Sequence, residues 1–192
     1  MKILFCRHGE TLWNQQGRLQ GHLDSELSLV GIQQARALGE RLAPFNPSLI
    51  VCSDLGRAIS TAELVNESLN IPVESSALLR ERCFGELQGL YKGESEHLWQ
   101  AYQQRFNADG IGIKDSESAI EVLNRVDGFL NKISKLAIDT LVVICHGEWL
   151  RVFQNSVLGF APWSAQVALV GNCQIVEYEM IQSASELVLK AG

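Results

Sequence analysis

Apolar residues recur along this chain in two rhythms. Short runs at KILFC (residues 2–6), SLIVC (48–52), TLVVIC (140–145) and CQIVEYEM (173–180) predict β-strands. The first and third do not alternate with polar residues, the pattern of strands buried on both sides. Between the runs the period becomes helical: SLVGIQQARALGERLAPF behind Ser28, RAISTAELVNESL, and SAIEVLNRVDGFLNKISKL, the longest amphipathic stretch. Strands alternating with helices predict an α/β fold, a three-layer α/β/α sandwich around a mostly parallel central sheet. Residues 84–114 break the rhythm with five glycines and an aromatic-containing helix, ESEHLWQAYQQRF. They are expected to form an insertion over one end of the sheet, within a single domain covering residues 1–192.

Two of the strand runs end alike. ILFCRHGE and LVVICHGE each close an apolar strand on cysteine and then present His-Gly-Glu. In a parallel sheet both strands would deliver their histidines, His8 and His146, to the same carboxyl edge, where open α/β folds place ligands.

Charge sharpens this picture. The chain has 192 residues, 46% of them hydrophobic, enough for one sizeable core. Its formal net charge of -6 and pI near 5.2 argue against general affinity for nucleic acid or acidic membrane surfaces, so any positive site must be local. The opening MKILFC is too short an apolar run for a signal peptide, and no stretch approaches membrane-spanning length, so a cytoplasmic protein is expected. Five cysteines show no metal-type spacing, and Cys6, Cys52 and Cys145 at the ends of apolar runs read as packing residues.

Against that acidic background, Arg7 precedes His8, and CSDLGRAISTAE puts Arg57 at the start of a helix after another apolar strand. Two arginines and two histidines at one sheet edge would repel one another unless an anion joined them, and a phosphate suits them. Arginine offers a planar fork to phosphate oxygens and remains charged, while helix-start amides add donors. A neutral histidine nitrogen can attack phosphorus and form a covalent intermediate. His8 would need one tautomer, held by a bond from its other nitrogen to a backbone carbonyl, with Gly9 letting the chain bend close.

The segments RHGETLWNQQGRLQGHLDSELSLVGIQQA, SDLGRAISTAE, LRERCFGELQGL and HGEWLR, in that order, resemble the histidine phosphatase superfamily, which includes the cofactor-dependent phosphoglycerate mutases. The resemblance implies that His8 becomes phosphohistidine and that Arg7, Arg57 and His146 grip the phosphoryl oxygens. It further implies that Asn14, Gln20, Gly21 and Gly147 line the pocket and that Glu81 is the proton donor, with Glu86 its rival. It implies no metal and no cofactor, and a small phosphorylated metabolite as substrate; it leaves the oligomeric state open.

A phosphatase passes the phosphoryl group to water and a mutase to a second hydroxyl. A mutase needs extra cations; Lys92 in GLYKGE falls on a mutase lysine, yet only Gln104 and Arg105 stand near the mutases' arginine pair, and acids outnumber bases in the insertion. The phosphatase reading is therefore favoured, the mutase being the alternative and a non-catalytic phosphate-binding module a third. Trp99, Tyr102 and Phe106 fall at helical spacing and could wall an organic leaving group or simply pack. Glu148, if it points inward, would repel a second anionic group and favour a monoanionic or neutral-tailed substrate. His22 is expected at the pocket rim and His97 on an exposed helix face. Two other chemistries are open on paper: a metal hydrolase using His8, Glu10, His146 and Glu148, and a cysteine phosphatase at Cys52, whose spacing to Arg57 is one residue short.

Overall fold

A computed structural model describes residues 1–91, 94–108, 110, 112–182 and 187–191. Among them six strands form one sheet in the order β3-β2-β4-β1-β5-β6. These are β1 (Lys2–Arg7), β2 (Leu49–Ser53), β3 (Val73–Ser76), β4 (Thr140–Cys145), β5 (Ile175–Gln182) and β6 (Leu187–Ala191). The first four run parallel, β5 pairs antiparallel with β1, and β6 pairs antiparallel with β5. The sequence pattern misses β3 and β6. VESS in β3 is an edge segment with three of its four residues exposed, so it shows no apolar run.

The period of two along each buried strand sends alternate side chains into separate cores. Ile3, Phe5, Val51, Leu141 and Val143 pack on one face with Val122, Val126, Phe129, Trp149 and Phe153. These come from helices α5 (Ala119–Ile133) and α6 (Gly147–Val157). Leu4, Cys6, Ile50, Cys52, Val142 and Ile144 pack on the other with Ala35, Leu38, Ala58, Ala62 and Val65. Those belong to α2 (Leu29–Leu42) and α3 (Gly56–Leu69), the two remaining long helices after the short α1 (Leu12–Gln15). The predicted α/β sandwich is thus present, with both sheet faces covered. Ser28 caps α2 by accepting from the Gly31 amide at 3.0 Å, as its position before the helical run predicts.

In the 84–114 segment, α4 (Glu96–Gln103) is shorter than predicted and passes into a 3-10 turn, Gln104–Phe106. Phe84 and Leu87 form a small separate apolar cluster with Leu19, Ala101, Tyr102 and Ile113. Lys92 and Asp109 lie outside the described residues. Among the described residues no helix is long and apolar enough to cross a membrane.

Candidate active site

Register builds the site. β1 and β4 pair in parallel with Arg7 opposite Cys145, and the His8 amide donates to the Cys145 carbonyl at 3.0 Å. The next residue of each strand is therefore His8 or His146, and their ring centroids stand 5.1 Å apart. Both imidazoles are buried, 2% and 0% exposed. Arg57 reaches the same edge from the first turn of α3. Arg7, His8, Arg57, Gly147, Asn14, Gln20, Gly21 and Glu81 all line one cavity of about 100 Å³. His146 is not among the lining residues, but its ring stands beside that of His8.

The His8 ring is fixed in a single orientation. Its Nδ1 lies 2.7 Å from the Gly9 carbonyl oxygen, a contact that only an N–H at Nδ1 satisfies, so the lone pair resides on Nε2. The carbonyl clamp expected from the sequence is there, but Gly9 serves it differently. A Cβ at Gly9 would stand 2.8 Å from the Gly31 carbonyl oxygen, so the glycine allows α2 to approach rather than the chain to bend. The Gly9 amide donates to Thr61 Oγ1 at 3.0 Å, and Asn172 donates to the His8 carbonyl at 2.9 Å. Burial, reinforced by Arg57 and Arg7, pushes the His8 imidazole well below the ordinary histidine range. The same holds for His146, where burial comes first and Arg57 and His8 follow. Both rings are thus neutral at pH 7, as a nucleophile must be.

The arginines are anchored through part of each guanidinium only. Arg7 donates to the Val170 carbonyl at 3.0 Å and packs against Gly147, where a Cβ would stand 3.5 Å from its Cζ. Arg57 donates to the carbonyls of Leu23 (2.9 Å) and Gly21 (2.8 Å) and pairs with Asp24 at 2.9 Å. Gly21 has φ of +57°, which turns its carbonyl toward Arg57. Among the described residues, the buried Nε atoms of Arg7 and Arg57 and both ring nitrogens of His146 have no protein partner. Three donor-bearing groups gathered at one sheet edge, with part of their capacity unmet, suit a tetrahedral oxyanion.

Glu81 stands in a stretch without regular structure, and its carboxylate meets the start of α6. Oε1 accepts from the amides of Arg82 (2.9 Å) and Trp149 (3.1 Å), and Oε2 from that of Glu148 (3.2 Å). Two bonds saturate Oε1, whereas Oε2 keeps one lone pair on which a proton can be held. Glu86 is exposed and absent from the lining, so Glu81 is the better-placed carboxylate.

Several expectations are revised. Glu148 does lie in the cavity wall, but it does not present a bare charge. Its carboxylate pairs closely with Arg151 and lies 3.8 Å from Arg105 and 4.0 Å from Arg82. Burial raises its pKa while the three guanidinium groups oppose that rise. The repulsion argument against doubly anionic substrates therefore fails. Of the aromatic stripe only Tyr102 lines the cavity, joined there by Phe84. Phe106 lies under Arg105 and Arg151, and Trp99 packs on Tyr102 with centroids 5.0 Å apart. His22 is not at the rim; its Nε2–H donates to the Glu81 carbonyl at 2.8 Å. His97 is exposed as expected.

Glu10 turns away to Gln15 and Ser28, so the set proposed for a metal hydrolase does not converge. Burial raises the Cys52 thiol to about 11, and Cys52 lines a different hollow beside β3, which disfavours it as a phosphate-site nucleophile. The sequence reading missed Asp24, Thr61, Asn172 and Arg18, which also lines the cavity. Each of them meets the site through contacts between distant segments, which no local pattern announces.

Comparison with known proteins agrees with this geometry. Residues 3–191 match the model of the histidine phosphatase superfamily (branch 1). The chain belongs to that superfamily. It is 33% identical over 185 residues to a probable phosphoglycerate mutase, GpmB, of Citrobacter koseri, covering 93% of this chain and 86% of that protein. Among solved structures it is similar to a mycobacterial glucosyl-3-phosphoglycerate phosphatase, at 26% identity and a TM-score of 0.87 over 100% of this chain and 96% of that one. YhfR of Bacillus stearothermophilus shares the fold at 24% identity, with a TM-score of 0.88 over 99% and 95% of the two chains. Members of the superfamily transfer phosphoryl groups as phosphatases or mutases.

Proposed function

We propose that this protein is a phosphomonoester hydrolase that works through phosphohistidine at His8 on a small phosphorylated metabolite of the cytoplasm. The observation that carries the reading is the His8 clamp: Nδ1–H is tied to the Gly9 carbonyl, so Nε2 carries the lone pair beside Arg7, Arg57, His146 and Glu81. In the first step Nε2 bonds to phosphorus as the P–O bond to the leaving group breaks, and Glu81 gives that oxygen its proton. In the second, Glu81 takes a proton from water, whose oxygen displaces His8 and releases inorganic phosphate. Guanidinium groups and imidazoles, rather than a metal, would meet the charge on the phosphoryl oxygens.

Hydrolysis is favoured over isomerisation because Arg105 pairs with Glu148 and stacks on Tyr102 and Phe106, with its Cζ 4.0 Å from each ring centroid. That leaves it less free to hold a second acidic group. The mutase reading has its own support in the curated relatives' description as probable phosphoglycerate mutases.

Incubation with a panel of phosphate esters, alkaline quenching and mass spectrometry should place one phosphoryl group on the peptide holding His8. His8→Ala should lose both label and turnover. Turnover surviving in His8→Ala would refute the assignment. With 3-phosphoglycerate in the panel, release of inorganic phosphate against formation of the 2-isomer decides between hydrolase and mutase.

A further inference from the structure

Residues 80–83, which carry Glu81, have no strand or helix to satisfy their backbone. Their carbonyls are met by other segments: His22 donates to that of Glu81 at 2.8 Å, the Glu117 amide to that of Cys83 at 2.9 Å, and one side chain from α5 spans the rest of the stretch before and at Glu81. Arg125 Nη1 donates to the carbonyls of Leu78 (3.1 Å) and Arg80 (2.8 Å), and Nη2 to that of Glu81 (3.3 Å). Nε and Nη2 grip Glu117 at 2.9 and 2.8 Å in a forked ion pair. All five N–H groups of the guanidinium are thereby used. Glu117 in turn accepts from the Cys83 amide at 2.7 Å, and its own carbonyl accepts from Arg82 Nε at 2.8 Å. The pair therefore holds the chain on both sides of Glu81, while neither Arg125 nor Glu117 lines the cavity.

We propose that Arg125, oriented by Glu117, is a positioning residue for the acid–base step: it fixes the backbone from which Glu81 reaches the leaving oxygen. The inference rests on the reading that Glu81 carries that proton. Its side chain is already tied to the α6 amides, so its remaining freedom lies in the backbone, which Arg125 clamps at Arg80 and, with His22, at Glu81 itself. A lysine could not replace the arginine, because an ammonium has three donors and no fork with which to hold three carbonyls and a carboxylate.

A role confined to stability would lower all rates alike, whereas loss of proton positioning depends on the leaving group. p-Nitrophenolate leaves without protonation and an alkoxide does not. For Arg125→Gln we expect kcat/KM on glycerol phosphate to fall about a hundredfold, the lower end of an acid–base contribution. The nitrophenolate burst that reports His8 phosphorylation should change only a few fold, and phosphohistidine should accumulate because water attack is slowed. Equal losses on both esters, or none on either, would overturn the proposal. If Arg125→Gln does not fold, Glu117→Gln is judged by the same two outcomes. Wild-type protein that forms no phosphohistidine with any ester would defeat the proposed function instead, a result readily told apart.

Discussion

Helices α3 and α6 both begin at the pocket without a capping side chain of their own, and each borrows a carboxylate from another segment. Asp24 accepts from the amides of Gly56 and Arg57, and Glu81 from those of Glu148 and Trp149. The resemblance ends there. Asp24 also pairs with the Arg57 guanidinium, so its charge is matched and its role is to aim a cation. Glu81 has no ion pair among the described residues, lines the cavity and keeps one lone pair unused. The same capping geometry thus yields a support in one place and a proton carrier in the other, and the difference is made by what else each carboxylate touches.

Glu81→Gln gives the sharper break in that comparison. Glutamine keeps one acceptor oxygen for α6 but has no proton to exchange, so alkyl phosphate hydrolysis should fall about 10²–10⁴-fold while the helix start stays in place. Steady-state kinetics beside a thermal melt measure the two effects on one sample. Near-normal turnover would return the proton role to another group. Asp24→Asn should act more gently: the cap oxygen remains, the charge partner of Arg57 does not, and kcat/KM falls about tenfold, as for one charge-assisted bond of about 1.4 kcal/mol. That loss should be uniform across leaving groups. A loss confined to poor leaving groups would mean that Asp24, too, takes part in proton transfer.

The contrast also explains what sequence could show. Arg7, His8 and His146 were readable because each directly ends or follows an apolar strand, and parallel pairing carries all three to one edge. Arg57 was readable because it opens a helix behind a third such strand. Asp24, Thr61 and Asn172 support those residues from loops and helices whose meeting is a product of the whole fold. Glu148 shows the consequence most plainly. Its position beside His146 suggested a repulsive charge, but Arg82, Arg105 and Arg151, brought together by folding, surround it and reverse the conclusion. Edge strand β3 was hidden for a simpler reason, since it buries too little to need an apolar run.

The smallest expected effect concerns the side of the pocket that holds the phosphoryl group. Asp24 already supplies Arg57 with a counter-charge, while His8 and His146 are kept neutral by burial and by the arginines. Their folded pKa values lie below the unfolded value of about 6.5, so below that pH the unfolded chain binds protons that the native protein refuses. Stability is therefore complete above about pH 6.5 and declines as pH falls toward the lowered folded values, by at most about 1.4 kcal/mol per histidine per pH unit. Sulfate, a dianion throughout this range, should oppose the decline by letting the imidazoles charge beside it. Its stabilising shift in the thermal midpoint should then be larger at pH 5.5 than at pH 7.5. In a His8→Asn, His146→Asn double variant that difference should disappear, while Asp24→Asn should keep it. A sulfate response independent of pH in the wild type would show that the imidazoles do not share the anion with the arginines, and the grip would then reduce to Arg7 and Arg57 alone.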